Sequence, residues 1–79
     1  MLNEKEVEVL VVGGKRKGLQ VFYDKAIERV VIEKSDKVIF IDDNKQNIKA
    51  AEAFGIIGIH FKSSAQLRNR LIQLHILAD

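Results

Sequence analysis

Two adjacent carboxylates, Asp42 and Asp43, close the run VIFIDDNKQN. Four apolar residues lead straight into them, and an Asn and a helix-like pattern follow. Carboxylates this close repel each other, and one tends to protonate unless a cation is present. Mg²⁺ suits such a pair, because it takes oxygen ligands, keeps several waters and is commonly held by one or two carboxylates plus a substrate phosphate. Residues leaving a strand point in different directions, so one Asp can ligate directly while the other holds a metal-bound water. The same pair also has a plain structural use. Asp43, or Asn44 after it, can cap a helix, with Asp42 a solvated strand end.

Lys17 is the second candidate. It belongs to the locally basic cluster Lys15-Arg16-Lys17, after the glycine pair Gly13-Gly14. A Lys at the carboxyl edge of a sheet neutralises an anionic substrate or steadies a carboxylate nucleophile. The competing reading is a solvated basic turn. His60 lies in an apolar strand pattern and His75 in a helical one, and neither has a partner at ligand spacing. Tyr23 and the four Phe fall on strand or helix core positions and read as packing residues.

The elements that must position these residues alternate. Residues 7–12 (VEVLVV) are β-branched and end at the glycine pair, the pattern of a strand and turn. Over residues 20–31, Phe22, Ala26, Ile27 and Val30 recur at helical spacing. A strand fits residues 37–42, continuously apolar over 38–41, as in a parallel strand covered on both faces. A helix fits residues 45–54, with Ile48, Ala51 and Phe54 on one face and Gly55 as its stop. A third strand fits residues 56–61 (IIGIHF), with Gly58 inside it. Ser63-Ser64-Ala65-Gln66 opens a last helix with a Ser-x-x-Gln capping box. Its stripe is Leu67, Leu71, Leu74 and Ala78, widened by Ile72 and Ile76. The sum is βαβαβα, which predicts an α/β fold: a three-stranded, Rossmann-like parallel sheet with right-handed crossovers. Ligands of such sheets gather at the carboxyl ends of the strands, where Asp42 and Asp43 fall.

Composition bounds the rest. Seventy-nine residues make a single small domain, and 30% charged with 47% hydrophobic residues is an ordinary globular mix. A net charge of +2 is too small to argue for nucleic acid or an anionic membrane, and the basic cluster has no aromatic interleaving. The apolar run near the start lasts about six residues, too short for a membrane span. There is no Cys, which excludes thiolate metal sites and fits a reducing, cytoplasmic compartment.

Two longer segments, GKRKGLQVFYDKAIERV and KVIFIDDNKQNIKAAEAFGIIGIHFKSSAQL, resemble the C-terminal part of the core domain of haloacid dehalogenase superfamily hydrolases. The likeness is greatest to the phosphatase-type members of subfamily I. Their pattern reads G-x-R-K-P-D-P-x-I-Y-x-x-A-L-E-R, then F-I-D-D-N-x-x-N-x-x-A-A-x-x-x-G, then x-x-I-H-F and a helix with Q-L. Gly14, Arg16, Lys17, Tyr23, Ala26, Glu28 and Arg29 fall on the first part. Phe40 to Asn44, Asn47, Ala50, Ala51 and Gly55 fall on the second, with Ile59, His60, Phe61, Gln66 and Leu67 after them. The resemblance implies Mg²⁺-dependent phosphate-ester hydrolysis through an aspartyl-phosphate. It makes Asp42 and Asp43 metal residues and Lys17 the catalytic charge-neutralising residue. Asn47 then supports the loop around the Lys and the metal.

The departures are as informative. The family's nucleophile motif D-x-D is absent, as is its Ser/Thr phosphate-binding motif, and Gly18-Leu19-Gln20 replaces Pro-Asp-Pro after the Lys. The chain therefore carries half a catalytic site, and hydrolysis by it alone is not expected. Its role is then that of the C-terminal piece of such an enzyme, as a fragment, a degenerate copy or one part of a split enzyme, with a phosphorylated small molecule as substrate. The alternative is a non-enzymatic Mg²⁺-binding or protein-interaction module. The family's first two core strands are also missing, which leaves apolar surface uncovered and predicts a homo-oligomer or a complementing chain that supplies strands. A phosphoacceptor receiver domain also uses D-D-N after an apolar strand. Its later phosphorylated Asp has no counterpart here, because Asp79 at the end of the last helix is the only Asp that follows.

Overall fold

The computed structural model describes residues 18–26, 28–34 and 36–77. The strand expected over residues 7–12, and Lys17 with its basic neighbours, lie outside the described residues.

The described chain runs β1 (Leu19–Asp24), β2 (Arg29–Lys34), β3 (Lys37–Asp42), α1 (Lys45–Ala53), β4 (Ile57–His60) and α2 (Ser64–Gln73). The four strands form one sheet in the order β1-β2-β3-β4. β1 pairs antiparallel with β2 and β2 antiparallel with β3; only β3 and β4 are parallel. The fold is α/β as expected, but the sheet is mixed and has four described strands rather than three parallel ones.

The source of the difference is the segment expected as a helix over residues 20–31, which is a β-hairpin. Leu19, Val21 and Tyr23 alternate with the more exposed Gln20, Phe22 and Asp24, and Val30 and Ile32 are buried while Val31 and Glu33 are less so. A period of two thus puts apolar residues on one face of both strands, and sheet pairing rewards that arrangement over the weaker helical spacing. The chain reverses after Asp24, whose Oδ1 accepts a hydrogen bond of 3.0 Å from the Ala26 amide. Glu28 takes a left-handed conformation (φ 50°) just before β2.

One face of the sheet carries the core. Val30, Ile32, Ile39, Ile41 and Ile59 are buried there with Leu67 and Leu71 of α2, joined by Phe61, Ile76 and Leu77. Leu19, Val21 and Tyr23 extend this cluster onto β1. On the opposite face Phe22, Val31, Phe40 and Gly58 stand in register across the four strands. Helix α1 covers the β3–β4 end of that row through Ile48 and Ala51. The helix approaches so closely that a Cβ on Gly58 would lie 2.7 Å from Ile48 Cγ2. The glycine is there to let the helix in.

Both helices follow the end signals in the sequence. Asn44 caps α1, its side chain accepting from the Gln46 amide at 2.9 Å, and Gly55 (φ 81°) follows the last turn. Ser63 caps α2 through Oγ to the Gln66 amide at 3.1 Å. The box is not reciprocal, because Gln66 Oε1 accepts from the Lys62 amide and its Nε2 donates to the His60 carbonyl. Helix α2 ends earlier than its stripe suggested. His75 turns left-handed (φ 62°), so Ile76 and Leu77 reach the core from beyond the helix. Two lysines of the β2–β3 hairpin meet that end: Lys34 Nζ donates to the His75 carbonyl and Lys37 Nζ to the Leu74 carbonyl, both at 3.0 Å.

The aromatic residues divide. Phe61 is buried, but Phe22 is 53% exposed and Phe54 85% exposed, so these two are not the core residues that their positions suggested. Among the described residues no helix is long and apolar enough to cross a membrane.

Candidate functional site

The strand–loop–helix–strand unit β3–α1–β4 carries the acidic pair at the carboxyl end of β3, between Arg29 of β2 and His60 of β4 in the sheet register. Asp42 is the most deeply placed polar residue described, 1% exposed. Its Oδ1 accepts from the Asn44 amide at 2.8 Å, the turn that an Asp favours just before a helix. Its Oδ2 accepts from Asn47 Nδ2 at 3.0 Å and lies 3.8 Å from Arg29 Nε. A buried carboxylate needs such partners to offset its lost hydration. The Asp42 carbonyl is engaged too, accepting from the Phe61 amide at 2.9 Å.

Asp43 is the opposite case. Its side chain is exposed at the tip of the loop, while its carbonyl accepts a 2.9 Å hydrogen bond from His60 Nε2. A carbonyl cannot donate, so His60 carries its proton on Nε2. That gives His60 a loop-fastening role, consistent with its having no ligand partner in the sequence. The consecutive aspartates thus have different work: Asp42 braces the loop from inside, and Asp43 presents a carboxylate to solvent.

Asn47, expected to support the site, does touch Asp42. Whether Lys17 approaches them lies outside the described residues. No group of three or more His, Asp or Glu side chains gathers among the described residues. Carboxylate oxygen fits Mg²⁺ better than a softer ion, but only one carboxylate of the pair, that of Asp43, is accessible; Asp42 has its two oxygens engaged within the protein and fixes the loop.

Arg29 is the residue whose importance the sequence did not reveal. Its guanidinium carbon lies 5.3 Å from the centre of the Phe40 ring, a cation–π contact. Its Nε is buried, and at 3.8 Å from Asp42 it makes an ionic contact but no hydrogen bond. Beside it, between α1 and the sheet, opens a cleft of about 260 Å³ whose walls include Arg29, Phe40, Asn47, Ala50, Phe54 and Ile56. In the sequence Arg29 stood out only as a match to the family pattern, which gave it no role.

Compared with known proteins, the chain matches no family model, no curated sequence and no solved structure.

Proposed function

We propose that this chain is the cation-holding edge of a haloacid dehalogenase-type phosphohydrolase centre, working with a nucleophile that the chain itself lacks. The observation that carries the reading is the β3–α1–β4 unit, in which a parallel strand pair and its connecting helix bring Asp42, Asp43 and Asn47 together at the carboxyl end of β3. In this reading Asp43 holds Mg²⁺, and Asp42 and Asn47 keep the loop in the shape that presents it. When bound, Mg²⁺ neutralises charge on a phosphoryl group. The resemblance gives Lys17 the charge-neutralising role. The buried Asp42 keeps its hydrogen bonds throughout, so it takes no proton from a substrate. The phosphoryl acceptor comes from another chain or segment with the D-x-D motif, and the substrate is a phosphorylated small molecule.

The exposed apolar surface at Phe22, Val38 and Phe54 favours a second reading, a module for homo-oligomerisation or for joining a complementing chain. Calorimetric titration of Mg²⁺ into the wild type and Asp43→Ala separates the two. A saturable response lost in Asp43→Ala supports the cation edge; identical weak responses retire it. Light scattering across a concentration series then reports whether the chain self-associates.

A further inference from the structure

Strand β1 stands at one end of the sheet order, and among the described residues no strand lies beyond it. The outward N–H and C=O groups of such an edge are a template for another strand, and proteins usually blunt it with a Pro, a Lys, a bulge or a very short strand. β1 (LQVFYD) has none of these. Its six residues pair with β2 in unbroken register, and its one charge is Asp24. The opposite edge, β4, is only four residues long and contains a glycine. β1 also brings Phe22, 53% exposed, at the end of the row that α1 leaves uncovered.

We infer that β1 is the seam of a symmetric homodimer, in which β1 of a second copy adds antiparallel to it and Phe22 stands opposite Phe22 of that copy. The seam rests on the homo-oligomer reading above and gives it a surface and a register. A twofold axis perpendicular to the sheet keeps each face on its own side, so the register can change only in steps of two residues. Three registers keep most of the strand paired. Centred on Tyr23, the pairing sets Phe22 against the Asp24 carboxylate and Val21 against Lys25. Centred on Val21, it sets Phe22 against Gln20 and Asp24 against Gly18, outside the strand. Centred on Phe22, it matches like with like: ring meets ring, Gln20 meets Asp24, and Val21 meets Tyr23 on the core face. The last two pairs occur twice by symmetry, and aromatic–aromatic and aromatic–β-branched pairs are among those that stabilise sheets. Charge fixes the antiparallel sense. A parallel, in-register pairing sets Asp24 beside its own copy, whereas here the two carboxylates lie at opposite ends of the seam, each facing a Gln20 amide. This match of the strand to itself, on both faces and in charge, selects a second copy over an unrelated peptide.

Sedimentation velocity on the full chain, from dilute to millimolar protein, tests the seam. The wild type is expected to pass from monomer to dimer and to stop there, because one partner uses up a twofold seam. Phe22→Lys and Phe22→Glu each oppose a charge to its own copy, and each should weaken the dimer about ten-fold or more. An equimolar mixture of the two should recover it, since only a seam that sets position 22 against itself turns them into opposite charges. Gln20→Lys, facing Asp24, should tighten the dimer about three-fold, and Gln20→Glu should loosen it by as much. Gln20 is polar and exposed already, so its variants decide the matter even where a charge at position 22 upsets the fold. A wild type that stays monomeric throughout overturns the seam and the homo-oligomer reading together. A dimer that the Phe22 and Gln20 variants leave unchanged overturns the seam alone, as does a mixture that fails to recover or assembly that continues past the dimer.

Discussion

On one face of the sheet Val30, Ile32, Ile39 and Ile41 point from β2 and β3 onto Leu67 and Leu71 of α2, and all are buried. On the other face Phe22, Val31 and Phe40 form a row that α1 covers only at its β3–β4 end. The first face is a sealed apolar layer, the second a half-built one with an aromatic cleft and a charged rim. Burial is therefore divided unequally between the two sides. The α2 face carries the buried apolar cluster. The α1 face gives up burial, and in return it presents Arg29, Asn47 and the acidic loop to solvent.

This contrast is open to direct attack. Leu71→Ala removes a fully buried side chain from the sealed face and should cost about 2–5 kcal/mol, read as a fall in the urea midpoint. A loss below about 1 kcal/mol would mean that the α2 face is not the principal core. Gly58→Ala probes the closest approach on the other face, where the new Cβ meets Ile48 Cγ2 at 2.7 Å. It should cost about 1–3 kcal/mol, and a smaller residue at position 48 should recover part of the loss. Phe22→Ser should cost about 1 kcal/mol or less in dilute protein, because the ring is already half in solvent and gives up chiefly its pairing with Val31. A large loss there would show that the open face is closed in solution, and its dependence on protein concentration would say whether a second copy closes it.

How much of this was legible in the sequence depends on the strength of the local signals. α1 and β3 were read nearly to the residue, because a run of apolar residues ending in Asp-Asp-Asn and a helix ending in Gly carry their own start and stop signs. The placing of Asp42 and Asp43 at a strand's carboxyl end followed from the same signals. The hairpin did not. Phe22, Ala26 and Val30 satisfy a helical spacing, while Leu19, Val21, Tyr23, Val30 and Ile32 satisfy a strand spacing, and the two overlap. The connecting residues lack the Asn-Gly or Asp-Gly pair that announces a tight hairpin. Pairing with β3, a partner supplied by tertiary structure, decides between them, and propensity along the chain cannot report it. Arg29 went unread for the same reason, since its nearness to Asp42 depends on the antiparallel register of β2 with β3. The division of labour between the two aspartates was equally invisible, because burial of one and exposure of its neighbour is set by the turn that Asn44 and Asn47 close.

The pair of lysines that meets the end of α2 also ties distant parts of the chain together. Lys34 and His75 are 41 positions apart, and Lys37 and Leu74 are 37 apart. Positive charge at a helix's carboxyl end is favourable, and holding it there closes a long loop of chain, whose entropic cost grows only slowly with length. Chemistry that neutralises those two amines would release the Leu74 and His75 carbonyls and loosen the hold on Ile76 and Leu77, the part of the apolar layer that lies beyond the helix.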